Sequence, residues 1–338
     1  MPDAIVERGF EFVNAQSVDD AGRRLAENGT VANIIAGGTD LLGELKQGTL
    51  SPQRLVSLQG LDDHRGIVVD GQRAKIGAMT TIADIAAHPV IRSHYSALAQ
   101  ACDSVATPQI RNVGTLGGNL CQRPRCWYYR SPLFDCRKKG GTECFAIDGA
   151  NKFHAIFDNA ACPIVHPSDT AVALSALDAS VTIASPNEIR SLPMQSFFSS
   201  SSADVTTENI LGAGEILSQV IIPTPSPNSR NIFLKAKERQ AMDFALASVG
   251  LSLDVVDDVV ASARIALGGV APVPYKATNA EQAIAGKPVS NIDAGAIGQA
   301  AVRGAAPLSD NGYKVRLASG LVARAVRTLL QDDRGALQ

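Results

Sequence analysis

The sequence predicts an α+β fold in two parts, and three observations predict it. Short apolar runs alternate with capped helical segments through the first part of the chain. The segment Pro223-Thr224-Pro225-Ser226-Pro227-Asn228 then breaks every regular pattern and reads as a linker. Beyond it, strand-like runs are followed by helical ones, as in a compact α+β domain. One domain is therefore expected at 1–225, in lobes of about 1–60 and 61–225, and a smaller one at 229–332.

Each element has a local reason. Ser17 can cap a helix through Ala21–Ala26 that Gly29 is placed to end. Ala32–Ala36 reads as a short buried strand, Leu41–Gln47 as a helix, and Leu55–Leu58 as another strand. Strands near Ile67–Val69 and Ala74–Ala78 lead to a helix on which Thr81 and Asp84 are spaced as a capping box. His88-Pro89 restarts the chain into a helix ending near Cys102. From Thr107 to about Pro167 the chain is rich in glycine and cysteine with little periodicity. So long a stretch without regular structure is unusual unless it is functional. A helix follows at Ser168–Leu177 and a strand at Ser180–Ala184. The second domain reads as strands near Ile232–Ala236, Leu246–Val255 and Ala261–Leu267, then helices around 279–285 and 292–303. A last helix carries Val315, Leu317, Leu321, Val322 and Val326.

Composition excludes several classes. Among 338 residues, 45% are hydrophobic and 19% charged, as in an ordinary folded chain. A net charge of -2 and 5% aromatic residues argue against a nucleic-acid partner. No stretch approaches the ~20 apolar residues of a membrane span. The opening Met-Pro-Asp-Ala-Ile-Val-Glu-Arg leads into no apolar core, so no signal peptide is expected. The protein is then cytoplasmic, or periplasmic by export with a signal-bearing partner. No Ser-His-Asp or paired-carboxylate motif suggests hydrolysis.

Two glycine loops carry the first chemical signal. Ile34-Ile35-Ala36-Gly37-Gly38-Thr39-Asp40-Leu41 joins a strand to a helix start, and glycines there let backbone N–H groups approach a pyrophosphate. It lacks the third glycine of a Rossmann loop and the lysine of a P-loop, and a plain left-handed turn before a capped helix would also explain it. The second runs from Thr107 through Arg111-Asn112-Val113-Gly114-Thr115-Leu116-Gly117-Gly118-Asn119-Leu120 and offers many donors and few bulky groups. A tight turn between strands is the structural alternative. Two such loops together favour a phosphate-bearing cofactor held from both sides.

Together the motifs Ala-Gly-Gly-Thr-Asp-Leu and Arg-Asn-Val-Gly-Thr-Leu-Gly-Gly-Asn-Leu resemble the FAD-binding subunits of the xanthine dehydrogenase / carbon monoxide dehydrogenase family. The resemblance spans nearly the whole chain. It implies a two-lobed FAD-binding domain of the vanillyl-alcohol-oxidase (PCMH) type followed by the smaller domain. It also implies that Asn33, Ile34, Ile35, Ala36, Gly37, Gly38, Thr39, Asp40 and Leu41 wrap the pyrophosphate. Gly114, Thr115, Gly118 and Asn119, with Thr107 at the head of their loop, complete the cradle. His166-Pro167-Ser168-Asp169 matches the segment whose acid, Asp169, contacts the flavin, and Lys235 matches a lysine near the isoalloxazine. Helix capping at Ser168 or Asp169 and a solvated edge-strand position for Lys235 are the structural alternatives.

The six cysteines all lie between Cys102 and Cys162, a local clustering that fits a metal site better than a disulfide framework. Cys126, Cys136, Cys144 and Cys162 have C-x9-C-x7-C-x17-C spacing. Short zinc knuckles are absent, iron–sulfur clusters tolerate open spacing, and unrelated buried thiols remain a third reading. Arg123, Arg125, Arg130, Arg137, Lys138 and Lys139 are expected to offset a thiolate cluster. Trp127, Tyr128 and Tyr129 either shield it or pack the loop. Here the chain is similar to the periplasmic aldehyde oxidoreductase branch, and that implies a [4Fe–4S] cluster on a loop of about 120–165. Cys121 is close enough to compete with Cys126 as a ligand.

The resemblance implies a heterotrimer, or its dimer, in which a molybdenum-cofactor large subunit oxidises an aldehyde and a small subunit relays electrons through [2Fe–2S] clusters. This chain's FAD collects them for an external electron acceptor. The alternatives are a related hydroxylase acting on xanthine, N-heterocycles or an aromatic acyl-CoA, a stand-alone flavin reductase, and a zinc-stabilised interaction module.

Overall fold

The computed structural model describes residues 9–331 apart from Gln72. The opening octapeptide and Asp332, on which two expectations rest, lie outside them. Ser17 accepts the Asp20 N–H at 3.0 Å and starts a helix at Val18–Leu25. This helix stops short of Gly29, whose φ of +79° instead serves the turn that follows. Strands Glu11–Asn14, Ala32–Ile35 and Arg54–Ser57 form a three-stranded parallel sheet with the last in the centre. Parallel neighbours need crossovers, and the helices Val18–Leu25 and Leu41–Gln47 lie between these strands in sequence.

A second sheet is antiparallel, in the order Ile67–Val69, Arg73–Gly77, Ile216–Pro223, Ser180–Ala184, Ile189–Pro193. Two of its strands were missed by the sequence reading. In Ile216–Pro223 the polar pair Ser218-Gln219 splits the apolar residues and the alternation of buried and half-buried positions is confined to 218–222, so its sequence carries no clear strand period. Ile189–Pro193 is an edge strand with no buried position. The single helix expected after His88 is two, Pro89–His94 and Ser96–Ser104, broken at Tyr95, which is buried.

The third sheet orders Tyr275–Lys276, Val259–Gly268, Ala247–Val256 and Ser229–Ala236, all antiparallel. Helices Thr278–Ile284, Ala294–Ala301 and Tyr313–Gln331 share its core with Val249, Leu251, Leu267, Ile297 and Val326. Another helix, Asp169–Ala176, also packs on this sheet, and every one of its residues is buried. Glycines make that approach possible. A Cβ on Gly250 would stand 2.8 Å from the Val172 carbonyl oxygen, and one on Gly268 would stand 2.5 Å from Val172 Cγ2.

The cysteine-rich stretch holds four short helical turns, at Pro108–Arg111, Leu116–Leu120, Trp127–Arg130 and Arg137–Lys139. Its far end docks on the second domain. Lys314, wholly buried in the last helix, donates from Nζ to the Phe153 and Gly269 carbonyls at 2.7 Å each. Among the described residues no helix is long and apolar enough to cross a membrane.

Lys314→Met leaves those two buried carbonyls without donors. It is expected to destabilise the protein by about 2–4 kcal/mol, since each unsatisfied buried group costs roughly 1–3 kcal/mol. Calorimetry of the variant checks this, and an unchanged unfolding temperature would contradict it.

Candidate functional site

The two glycine loops touch. A Cβ on Gly37 would stand only 2.1 Å from the Val113 carbonyl oxygen, so the first loop can press against the second only as glycine. Gly38 takes φ +70°, the left-handed region, and turns the chain into the helix Leu41–Gln47. Among the described residues the N–H groups of Gly37, Gly38 and Thr39 have no hydrogen-bond partner, which leaves them free for an anionic ligand. The second motif is not a turn between strands. Thr107 and Thr115 cap successive short helices, accepting from Ile110 N at 3.4 Å and Gly118 N at 3.2 Å.

On either side of this contact lie two cavities. One, of about 1960 Å³ and open to solvent, is lined by Asn33, Ile34, Ala36, Gly37, Gly38 and Leu41. The other, of about 860 Å³, is lined by Gly114, Asn119, Asp169 and Lys235. Thr39, Asp40, Thr115 and Gly118 belong to both. An elongated ligand with its charged middle at the loops fits this shape, as FAD would. Asn33 Oδ1, buried without a partner among the described residues, adds an unmatched acceptor in the larger cavity. Of the expected positions, Ile35 and Thr107 fall outside both linings, Ile35 in its strand and Thr107 as a cap.

At the closed end, Lys235 Nζ lies 2.6 Å from Asp169 Oδ2 and 3.2 Å from the Ser104 carbonyl. Lys235 does stand on an edge strand, yet its side chain is only 4% exposed, because the helix Ser96–Ser104 covers that edge. The solvated alternative therefore fails. Ser168 supplies the helix cap, accepting from Ala171 N at 3.0 Å, which leaves the Asp169 carboxylate to Lys235. Burial pushes the Asp169 carboxyl above the usual carboxylate range, against the pull of Lys235.

Sequence reasoning missed the lid of this cavity. Ala106 (φ +40°) and Met242 (φ +53°) both sit in the left-handed region and bond to each other, Met242 N–H to Ala106 carbonyl at 3.2 Å. Such backbone strain in non-glycine residues concentrates at ligand sites. The Asp243 carboxylate holds the turn by accepting from Glu238 N at 2.9 Å and Arg239 N at 3.1 Å. Ala241-Met242-Asp243-Phe244-Ala245 carries no motif that would have marked it in the sequence.

Cys126, Cys136, Cys144 and Cys162 line one small cavity together with Tyr128, Tyr129, Arg137 and Lys138. Cys121 borders the glycine-loop cavity instead. Backbone N–H groups of Tyr128 and Tyr129 reach Cys126, those of Ala146 and Ile147 reach Cys144, and that of Ile164 reaches Cys162. A hydrogen bond from Cys162 lowers the Cys144 thiol to about 6, and its partner rises accordingly. Burial holds Cys126 at about 11.

Of the six basic residues expected to offset a cluster, only Arg137 and Lys138 reach this cavity. Asp40 takes the others' attention: its carboxylate accepts from Arg123 N at 2.7 Å, Arg130 Nη2 at 2.7 Å and Arg125 Nη2 at 2.9 Å. Lys138 is itself paired with buried Glu208, and Lys139 Nζ donates to the Ser131 carbonyl at 2.6 Å. Tyr128 packs with Phe134 and Phe145, so the aromatic residues both pack the loop and wall the cavity.

Lys235→Met strands the Asp169 carboxylate, and breaking such a buried pair costs about 3–5 kcal/mol near neutral pH. A carboxyl raised in the folded state binds its proton more tightly there than when unfolded, so its contribution improves as pH falls. The deficit of Lys235→Met is therefore expected to shrink in acid, and Lys235→Met with Asp169→Asn to recover most of it. Thermal unfolding at mildly alkaline and mildly acidic pH measures both.

Residues 8–225 match the model of the FAD binding domain in molybdopterin dehydrogenase, and residues 232–329 that of the CO dehydrogenase flavoprotein C-terminal domain. The aldehyde oxidoreductase FAD-binding subunit PaoB of Escherichia coli is 34% identical over 295 residues, 86% of this chain and 89% of that one. The carbon monoxide dehydrogenase medium chain of Hydrogenophaga pseudoflava is 26% identical over 322 residues, 94% of this chain and 96% of the other. A solved carbon monoxide dehydrogenase structure from that organism superposes with a TM-score of 0.76 at 26% identity, covering 95% of this chain and 96% of its own. Quinoline 2-oxidoreductase from Pseudomonas putida 86 gives a TM-score of 0.73 at 25% identity, over 96% and 98%. With both domains matched and a cleft shaped for a dinucleotide, the chain belongs to the FAD-binding subunits of the molybdenum hydroxylase family.

Proposed function

We propose that this chain is the electron-transfer subunit of a molybdenum-cofactor aldehyde oxidoreductase, holding FAD across its glycine loops and a [4Fe–4S] cluster on Cys126, Cys136, Cys144 and Cys162. The observation that carries the second cofactor is the convergence of four thiols, widely spaced in sequence, on one cavity. The backbone N–H groups directed at three of the sulfurs suit a negatively charged cluster. Aldehyde as substrate is supported by the 34% identity to PaoB, whose name carries that activity.

Bound FAD supplies the ability to accept single electrons and release one or two. The chain's own residues position it: Gly37, Gly38, Thr39, Gly114, Thr115, Gly118 and Asn119 for the pyrophosphate side, Asp169 and Lys235 for the ring side. Asp40 contributes backbone, because its carboxylate is committed to three arginines. Lys235 presents less net charge to the ring than an isolated lysine, since Asp169 offsets it at 2.6 Å. The oxidation itself belongs to a molybdenum-cofactor partner, with electrons arriving through a [2Fe–2S] partner and leaving to an external acceptor.

Two substitutions test the cofactors. Gly37→Ala separates the loops and is expected to weaken FAD at least about tenfold, ~1.4 kcal/mol, read as flavin lost on dialysis of the purified complex. Cys162→Ser is expected to abolish the electron paramagnetic resonance signal of the reduced cluster while flavin absorbance persists, and Cys121→Ser to retain both. A colourless, zinc-containing complex would overturn the proposal.

A further inference from the structure

We propose that His154 sets the reduction potential of the cluster through an N–H hydrogen bond to Cys126, an inference that rests on the iron–sulfur reading above. His154 Nε2 lies 3.2 Å from Cys126 Sγ, and the residue is only 4% exposed. A cysteine bound to iron is a thiolate and can only accept, so the proton of this contact resides on Nε2. That holds for the neutral ring and the imidazolium alike. Nδ1 is buried with no hydrogen-bond partner among the described residues. The Nε2 contact is the hydrogen bond that the structure gives to these four sulfurs from a protein nitrogen among the described residues. Among the described residues His154 is thus the one side-chain nitrogen donor in the shell.

The ring is held rather than free to swing away. Its face meets Trp127 edge-on with centroids 5.6 Å apart. Its main-chain N–H donates to the Asn151 carbonyl at 2.9 Å, and its carbonyl accepts from Asn311 Nδ2 at 3.1 Å. The preceding carbonyl, that of Phe153, accepts from buried Lys314. The second domain therefore clamps the chain on both sides of His154. An N–H donor to a cluster sulfur stabilises the form carrying the extra electron more than the oxidised form, which raises the potential. No bond is made or broken in this effect; one electron enters or leaves the cluster while the proton stays on the ring.

The test is a potentiometric titration of the purified holo-complex, followed by electron paramagnetic resonance of the reduced cluster. His154→Phe keeps a ring and removes the donor, and is expected to shift the midpoint to lower potential. His154→Gln offers an amide N–H and is expected to restore most of that shift. Full iron with an unmoved midpoint in His154→Phe overturns this inference alone. Absence of any [4Fe–4S] signal from the wild-type complex overturns the iron–sulfur reading and this inference with it. If His154→Phe fails to load iron, wild-type protein labelled with 15N-histidine decides: a weak nitrogen coupling to the reduced cluster supports the contact, and its absence overturns it.

Discussion

The helix Asp169–Ala176 is the constraint on which the site depends. It packs against the sheet of the second domain on one side and against the helix Ser96–Ser104 of the first on another, so it has no polar face and every residue is buried. Burial of eight consecutive positions favours compact side chains, and Asp169-Thr170-Ala171-Val172-Ala173-Leu174-Ser175-Ala176 is made mostly of them, with Leu174 the largest. Gly250 and Gly268 complete the fit from the sheet side. The start of this helix then reaches in two directions at once. Ser168 Oγ and Thr170 Oγ1 donate to Asn119 Oδ1 at 2.6 and 2.7 Å, fixing the second glycine loop, and Asp169 pairs with Lys235 across the domain junction. A shift of the helix by one turn would dismantle the cleft from both ends.

Asp40 plays the corresponding part for the cysteine loop. A carboxylate that accepts from one backbone N–H and two guanidinium groups is strongly held. All three donors come from Arg123, Arg125 and Arg130, which bracket Cys126. The same loop is fastened a second time through Tyr129, whose hydroxyl donates to buried Glu44 at 2.6 Å and accepts from Arg123 Nε at 2.9 Å. Here the positive charge of the loop serves to bind it to the flavin domain. It leaves Arg137 and Lys138 to face the thiols, and Lys138 does so already neutralised by Glu208.

Much of the fold was legible because its signals are local. Ser17, Thr81 and Ser168 each form the cap expected from their position. The three longer strands and three helices of the second domain stand where apolar spacing put them, with ends shifted by up to three residues, while the two-residue strand Tyr275–Lys276 is too short to show a pattern. Ile216–Pro223 was not legible, because Ser218-Gln219 interrupts its apolar residues and it runs straight into the proline-rich linker. At the site, glycines and cysteines announced themselves by residue type. The lid did not, since Ala106 and Met242 are residues that normally avoid positive φ and nothing local predicts that they adopt it. Their conformation is imposed by a contact between segments far apart in sequence. His154 was passed over for the same reason: alone it is an ordinary buried histidine, and only the fold sets it beside Cys126.

The cavities themselves form a continuous series. Cys126 borders both the cysteine cavity and a neighbouring one of about 860 Å³ that is also lined by Trp127, Phe153 and His154. That neighbour shares Arg125, Pro167, Asp169, Asp243 and Phe244 with the cavity beside Lys235. Of the four thiols of the cysteine cavity, Cys126 is the one that also lines the cavity adjoining Asp169, and it is the sulfur that His154 contacts. His154 stands at Cys126 because Lys314 and Asn311 of the second domain hold the chain there, so the contact to this sulfur depends on the junction between the two domains.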